Sequence, residues 1–253
     1  MNDHQLAATL AREAGGLLMR VREQATWEGM DEATLRGRGD LDSHEYLMMR
    51  LAEERPSDVV LSEESKDDPK RLSAPRVWIV DPLDGTREFA EGRHDFAVHV
   101  ALVWQGTPVA GAVALPAEHR VFATEPKPHV APASERIRII VSRTRPPKLA
   151  QHLAARLDAE LVPLGSAGAK TMSVILGHSD VYAHAGGQYE WDSCAPVAVA
   201  RAAGLHCSRL DGSPLLYNNA DPYVPDLLVC RTELAEAVLE AVANAPADSF
   251  ETA

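Results

Sequence analysis

A run of four apolar residues at positions 77–80 is followed at once by two aspartates, Asp81 and Asp84, with Pro82 and Leu83 between them. The run has the length and composition of a buried strand, and the proline predicts a turn that ends it. Such a strand has to lie inside a sheet, whereas its acidic end needs water, a cation or a polar partner. The feature therefore predicts a strand whose carboxyl end carries acidic residues, which is where ligands collect in α/β sheets.

The first half of the chain predicts two helices beside a set of hairpin strands, which is an α+β arrangement. Apolar residues recur at helical spacing in residues 6–24 and 44–55, and Pro56 ends the second helix. The polar, glycine-bearing residues 29–42 predict a loop or an irregular hairpin. Strands are expected at 59–61, 77–80, 96–104, 109–115 and 121–123, with a hairpin turn at 105–108.

The second half predicts strands and helices in alternation, which is typical of an α/β arrangement. The predicted strands cover residues 137–141, 161–164, 181–183 and 227–230, and the predicted helices cover residues 148–157, 167–176, 193–203 and 233–243. A stretch rich in proline and alanine at 125–135 separates the two patterns. We therefore divide the chain into residues 1–130, with the first acidic motifs, and residues 131–253, with the last one.

Composition narrows the class of protein. The 253 residues carry a formal net charge of −12 at pH 7, which argues against a protein that coats nucleic acid or an anionic membrane. The three cysteines have no C-x-x-C spacing, and the chain does not open on a basic segment followed by an apolar run, so a reducing, cytoplasmic location is expected. The apolar runs are also shorter than a membrane span.

Acidic residues occur at three places where a predicted strand ends or a predicted helix begins. Glu63 and Glu64 follow one strand, Asp81 and Asp84 follow the next, and Asp192 precedes a helix. Taken singly, each could be a helix cap or a solvated turn. Together they would place several carboxylates at one sheet edge, where they cannot all stay ionised without a cation. Such oxygen donors favour Mg²⁺, Mn²⁺ or Ca²⁺ over zinc.

These acidic segments resemble the three signature motifs of one enzyme superfamily. They read L-S-E-E at 61–64, W-I-V-D-P-L-D-G-T at 78–86 and W-D-S-C-A-P at 191–196. In order and type they are similar to the motifs of the lithium-sensitive, magnesium-dependent phosphomonoesterases, which include inositol monophosphatases, fructose-1,6-bisphosphatases and 3′(2′),5′-bisphosphate nucleotidases. The resemblance implies their layered α-β-α-β-α sandwich, which agrees with an α+β half followed by an α/β half.

The resemblance also implies a set of metal ligands. These are the side chains of Glu63, Asp81, Asp84 and Asp192 and the backbone carbonyl of Leu83. It further implies two or three Mg²⁺ ions that activate water and neutralise the leaving oxygen, with Mn²⁺ as a substitute and with Li⁺ and Ca²⁺ as inhibitors.

A pair of residues that orients and deprotonates the attacking water is implied as well. Asp40, which stands 23 positions before Glu63, and Thr86 match this pair. Glu64 is predicted as a further catalytic residue that does not bind the metal directly. The segment R-G-R-G-D at 36–40 departs from the V-T-x-x-D pattern that is usual in the family. Asp42 is therefore an open alternative to Asp40.

Substrate contacts are implied by residues of both halves. V-S-R-T-R at 141–145 resembles the V-S-R-S-H segment of the bisphosphate nucleotidase branch, often called CysQ, and G-S-A-G-A-K at 165–170 resembles its G-S-x-x-K stretch. Either segment could equally be a polar loop or an ordinary helix start. The implied substrate-binding residues are Gly85, Thr86, Ser142, Arg143, Ser166, Lys170, Tyr189 and Asp192.

The favoured function is magnesium-dependent removal of the 3′-phosphate of adenosine 3′,5′-bisphosphate, which gives AMP and phosphate in the service of sulfate assimilation. 3′-Phosphoadenosine 5′-phosphosulfate is a related substrate. An inositol monophosphatase or fructose-1,6-bisphosphatase would use the same metal site, and a nucleotide-binding protein without catalysis is the alternative from another class. No nucleic acid or membrane partner is expected, and the resemblance implies a homodimer.

Overall fold

The structure is a computed structural model that describes residues 1–144 and 146–250. In this part of the chain, seven α-helices and ten β-strands form five layers, in the order helix, sheet, helix, sheet, helix. The helices are α1 (Asp3–Glu28), α2 (Glu32–Glu54), α3 (Thr86–Ala90), α4 (Lys148–Leu157), α5 (Ala167–Ile175), α6 (Glu190–Ala202) and α7 (Ala235–Ala243). The strands are β1 (Val59–Ser62), β2 (Arg76–Asp84), β3 (Ala97–Trp104), β4 (Thr107–Leu115), β5 (Arg120–Ala123), β6 (Arg138–Ser142), β7 (Glu160–Leu164), β8 (Val181–Tyr189), β9 (His206–Ser208) and β10 (Tyr223–Cys230). The layered sandwich implied by the resemblance is confirmed.

The first sheet holds β1 to β5 in chain order, with β1 parallel to β2 and the other neighbours antiparallel. Successive residues of β3 face opposite sides of the sheet, as the two-residue period of a strand requires. Val98 and Val100 pack with Leu10 and Leu18 of α1, whereas Ala101 packs in the inner core with α5 and α6. The strands predicted for the first half are thereby confirmed, apart from their ends.

The second sheet has the order β7-β6-β8-β10-β9, in which β6 is parallel to β7 and β8, and β10 is antiparallel to β8 and β9. Helices α5 and α6 lie between the two sheets and share a core with both, which includes Met172, Tyr182 and Val197. Helices α4 and α7 cover the outer face through Leu153 and Val238. The predicted alternation is confirmed, and β9 is absent from the prediction because three residues show no period.

Most of the segment predicted as a loop between the first two helices is helical, so that prediction is wrong. Helix α2 begins at Glu32, where the side chain of Asp31 accepts a hydrogen bond of 2.9 Å from the backbone N–H of Thr34. The misleading signal is Gly39, which serves close packing rather than a turn. A Cβ at this position would lie 2.8 Å from Cε1 of Phe89, so the glycine lets α2 and α3 approach each other.

The ends of two elements differ from the prediction in a way that shapes the acidic cluster. Strand β2 does not stop at Asp81 but continues through Pro82 to Asp84, with a bulge that shifts its register against β3 between the two aspartates. Helix α6 begins at Glu190, so Asp192 lies in its first turn rather than ahead of it. Pairing with neighbouring strands extends β2 and β8 beyond their apolar runs, and the local sequence does not record that pairing.

Residues 124–137, all of which are described, connect the two sheets without forming a helix or strand. Every strand of the first sheet precedes this connection, and every strand of the second follows it. The division at residue 130 stays a prediction, because the two sheets share the core that lies between them. Of the helices within residues 1–144 and 146–250, none has the length and apolar content of a membrane span.

Replacement of Gly39 by alanine is expected to destabilise the protein, because the added Cβ would press on Phe89 and Leu83. The expected loss is about 1–3 kcal/mol of unfolding free energy, measured by urea unfolding. Gly37→Ala is the matched control in the same helix. Nothing lies within 4 Å of its added Cβ, so it should stabilise the protein by up to about 1 kcal/mol. Equal effects of the two substitutions would contradict the close-packing explanation.

Candidate active site

Three aspartates from distant parts of the chain meet at one end of the first sheet. The bulged end of β2 supplies Asp81 and Asp84, and the first turn of α6 supplies Asp192. Carboxylate oxygens of the three residues lie within 4.8 Å of one another, and both β2 side chains are buried. In a regular strand, residues three apart face opposite sides, so the bulge is what lets the two β2 aspartates join one cluster.

Asp84 is held as an ionised carboxylate by donors at the start of α5 and by the nearby His99. Its Oδ2 accepts a hydrogen bond from the hydroxyl of Ser166 and another, of 2.7 Å, from the backbone N–H of Gly168. Nε2 of His99 lies 3.2 Å from the same oxygen. Burial alone would raise the pKa of Asp84, but His99 and these hydrogen bonds lower it to about 2.

The other acids of the cluster repel one another. Burial, with the charges of Glu63 and Asp84, raises the pKa of Asp81 well above its usual range. Burial and the charge of Asp84 raise the pKa of Asp192 to about 6. Loss of hydration and the charge of Asp192 raise the pKa of Glu63 to about 7. A divalent cation offsets such repulsion, and an all-oxygen donor set suits Mg²⁺, so these residues fit the implied metal.

His99 is a site residue that is absent from the sequence-based predictions. It lies fully buried on β3, with its Nδ1 3.0 Å from the carbonyl oxygen of Trp191. Because a carbonyl only accepts, Nδ1 carries a proton and Nε2 faces Asp84. Burial lowers the pKa of His99, but the Asp84 carboxylate more than compensates and raises it. The available signal was its place as the one polar residue in the apolar run 96–103.

Asp40 lies beside Thr86, as predicted, whereas Asp42 does not. The Thr86 hydroxyl is 3.5 Å from Oδ1 of Asp40 and 3.2 Å from the carbonyl oxygen of Leu83. Asp42 is held in an ion pair of 3.4 Å with an arginine of its own helix. Burial, and then the charge of Glu64, raise the pKa of Asp40 to about 7. A carboxyl group with this pKa can take up a proton near neutral pH, and the geometry favours Asp40 of the two alternatives.

A cavity of about 240 Å³ lies beside the carboxylate cluster and joins the two halves of the chain. Its wall contains five of the predicted substrate-binding residues, namely Thr86, Ser142, Arg143, Ser166 and Lys170. Arg145, the last residue of the resembling segment, lies outside the described residues. The cavity gives a phosphorylated molecule room to extend away from the cluster.

The two predicted cations of this cavity have different surroundings. Lys170 is buried, and burial lowers the pKa of its ammonium group although the charge of Asp84 acts in the opposite direction. Arg143 is partly exposed and forms ion pairs with Glu88 at 3.0 Å and with Glu91 at 2.7 Å. These two glutamates are further residues at the site that the sequence motifs do not reveal, because they lie more than 50 positions away from their partner.

Gly85 and Tyr189, the other predicted substrate residues, have clear structural roles. Gly85 has a φ of +88°, and a Cβ there would lie 3.2 Å from the Cβ of Ser166, so glycine is required before α3. Tyr189 precedes α6 and donates its backbone N–H to Asp192 at 2.6 Å. Its half-exposed ring stacks on Trp191, with 4.8 Å between the ring centres. Asp192 therefore caps its helix and also belongs to the acidic cluster.

Several known proteins are similar to this chain in sequence and fold over most of its length. The inositol monophosphatase family matches residues 3–247. A 3′-phosphoadenosine 5′-phosphate phosphatase of Mycobacterium tuberculosis is 51% identical over 245 residues, which cover 92% of this chain and 90% of that protein. The 3′(2′),5′-bisphosphate nucleotidase CysQ of Escherichia coli K12 is 32% identical over 85% of this chain and 94% of its own length. The crystal structure of CysQ from Bacteroides thetaiotaomicron has a TM-score of 0.77 and 28% identity, covering 89% of this chain and 96% of that chain.

Asp40→Asn is expected to change how the stability of the metal-free protein depends on pH. The pKa of Asp40 rises from its model-peptide value of 3.8 to about 7 in the folded protein, so the folded state binds the proton more tightly. Wild-type stability should therefore fall as the pH rises from about 4 to about 7, and the asparagine variant should lack this contribution.

Thermal unfolding in EDTA between about pH 5 and pH 8 measures the difference. As the pH rises, the melting temperature of Asp40→Asn should increase relative to that of the wild type. The difference should grow by about 2–4 °C for each kcal/mol of unfolding free energy that the wild type loses. Asp42→Asn, which removes a carboxylate from the same helix, should follow the wild type. Parallel curves for the wild type and Asp40→Asn would contradict the raised pKa.

Proposed function

The chain belongs to the inositol monophosphatase family, and we propose that it removes the 3′-phosphate of adenosine 3′,5′-bisphosphate, with AMP and inorganic phosphate as products. The observation that carries this proposal is the similarity, over nearly the whole chain, to the mycobacterial 3′-phosphoadenosine 5′-phosphate phosphatase. The buried carboxylate cluster supports the class of reaction, because phosphoryl transfer depends on positioned groups and on cations that offset the phosphate charge.

Magnesium is the cation that we expect at the cluster. Asp81, Asp84 and Asp192 would hold it, and Glu63 and the carbonyl of Leu83 would complete the oxygen donors. When bound, the cation lowers the pKa of a water molecule and offsets charge on the phosphate and the leaving oxygen. The presence of two or three ions, replacement by manganese, and inhibition by lithium or calcium are further proposals that metal titrations would test.

Residues of the chain itself position the reacting water. Thr86 lies within reach of Asp40, so the pair can orient a water molecule and receive its proton. Burial, and then the charge of Glu64, keep the pKa of Asp40 at about 7, which suits a proton acceptor at neutral pH. His99 places its Nε2 3.2 Å from Oδ2 of Asp84, and its charge favours the ionised form of that carboxylate.

The cavity beside the cluster is proposed to hold the rest of the nucleotide. Lys170 and Arg143 offer positive charge for the second phosphate, and Ser142 lies in the same wall. The stacked rings of Tyr189 and Trp191 offer a partly exposed aromatic face to a base. The remaining proposed contacts are the backbone N–H groups of Gly85 and Thr86 together with Ser166 and Asp192.

We further propose that the protein is cytoplasmic, that it forms a homodimer and that its chain divides into two halves. The three cysteines, all in described residues, are unpaired, which supports a reducing cytoplasm. A homodimer is proposed from family membership alone, and sedimentation would test it. The segregation of the two sheets along the chain supports two halves that meet near residue 130.

Phosphate release with Mg²⁺ tests the proposed substrate. Adenosine 3′,5′-bisphosphate, myo-inositol 1-phosphate and fructose 1,6-bisphosphate would be compared at equal concentration. The nucleotide is expected to give the highest kcat/KM, and EDTA is expected to abolish the activity with all three. A preference for either sugar phosphate would keep the metal chemistry but contradict the nucleotide assignment.

Asp81→Asn separates what the cluster costs in stability from what it contributes to catalysis. The variant is expected to lose at least about 100-fold in kcat/KM with Mg²⁺, because a carboxylate ligand is gone. In EDTA it should unfold at a higher temperature than the wild type, because repulsion with Glu63 and Asp84 is relieved. The amide oxygen can still accept the bond of 3.0 Å from the N–H of Leu83. Normal turnover, or a lower melting temperature in EDTA, would contradict the role of Asp81.

A further inference from the structure

Arg143 is placed between two glutamates at the wall of the cavity. Its Nε and Nη2 lie 3.3 and 3.0 Å from Oε1 of Glu88, and Nη2 is also 2.7 Å from Oε2 of Glu91. The two glutamates are three residues apart on α3 and its end, so both reach the same guanidinium group. Arg143 lines the cavity that is proposed to hold the second phosphate, but its charge is already paired with two glutamates of the protein.

The two glutamates differ in how firmly they are held. Glu88 is buried, and its side chain fills the space next to Gly165, where a Cβ would come within 2.4 Å of it. Glu91 is exposed and ends the helix, and Gly92, with a φ of +73°, follows it. The buried glutamate cannot leave without a rearrangement, whereas the exposed one can turn into solvent at little cost.

We propose that Glu91 occupies, in the free protein, the place on Arg143 that the second anionic group of the substrate takes, and that Glu88 is a positioning residue for the guanidinium. The proposal rests on the proposed function, since it concerns a substrate with two phosphates. Binding is then an exchange in which the second phosphate displaces the carboxylate of Glu91 and takes over its hydrogen bonds.

Arg143 favours a bisphosphate over a monophosphate for two reasons, even though Glu91 competes for it. A phosphate offers more charge and more acceptor oxygens to the planar guanidinium than one exposed carboxylate does. A monophosphate whose single phosphate lies at the carboxylate cluster leaves Glu91 on Arg143, so it gains nothing from this cation. Glu91 therefore weakens the binding of the second anionic group without preventing it, and it holds the preference for a bisphosphate below the value that Arg143 alone would give. It acts on binding rather than on the chemical step.

Comparison of two nucleotides tests the role of Glu91. The ratio of kcat/KM for adenosine 3′,5′-bisphosphate to kcat/KM for adenosine 3′-phosphate would be measured with Mg²⁺. In Glu91→Gln this ratio should rise about two- to fivefold, as expected for removal of one competing surface ion pair. In Arg143→Gln it should fall about tenfold or more, and adding Glu91→Gln to that variant should change it no further.

Glu53→Gln is the matched control, because it also removes the charge of an exposed glutamate that pairs with an arginine, here Arg50 at 3.7 Å. Its ratio should equal that of the wild type. An unchanged ratio in Glu91→Gln would overturn the proposal. The same rise in Glu53→Gln would also overturn it, because the rise would then come from the change in net charge.

Titration of the proteins with inorganic phosphate in EDTA separates this proposal from the proposed function. Glu91→Gln should bind phosphate about two- to fivefold more tightly than the wild type, and this increase should be absent in the Arg143→Gln background. If the wild type cleaves neither nucleotide, the proposed function is wrong. The titration then decides the role of Glu91, because an unchanged Kd would contradict it and a lower Kd would support it.

Discussion

Repulsion among buried carboxylates is the constraint that the rest of this structure accommodates. Asp81, Asp84 and Asp192 have oxygens within 4.8 Å of one another at a place with little access for water. The N-terminal ends of two helices reduce this repulsion. The hydroxyl of Ser166 and the N–H of Gly168, at the start of α5, donate hydrogen bonds to Asp84, and Asp192 lies in the first turn of α6. The positive ends of both helices therefore lie at the cluster, and a bound cation would neutralise the negative charge that remains.

Much of this site could be predicted from the sequence, because its residues follow apolar runs that are visible locally. Glu63 follows β1, Asp81 and Asp84 follow the apolar run 77–80, and Asp192 lies where a helix begins. The change from hairpin strands to alternating strands and helices likewise predicted an α+β half followed by an α/β half, since the period of apolar residues reports which face of an element is buried. The five layers were implied by the family resemblance. The pairing of Asp40 with Thr86 came from the resemblance, and no local pattern would have given it.

The features that escaped prediction depend on contacts between distant parts of the chain. A glycine in a polar segment has the same appearance in a turn and in a crowded helix, so Gly39 was misleading until its contact with Phe89 was known. The bulge in β2 exists only in its pairing with β3. His99 belongs to the site because it lies beside Asp84, and Glu88 because it pairs with Arg143. Each partner lies on another element of the fold.

The contact between α2 and α3 at Gly39 reaches further than the packing of two helices. Asp40 is the next residue of α2, and Thr86 opens α3, so the separation of the helices sets the 3.5 Å between the carboxylate and the hydroxyl. The absence of a side chain at Gly39 thus controls the spacing of the two groups that are proposed to position the reacting water. Replacing helical glycines to make such a protein more stable would treat positions 37 and 39 alike. Only at position 39 would the gain in helix propensity come at the expense of the alignment of Asp40 and Thr86, the proposed catalytic pair.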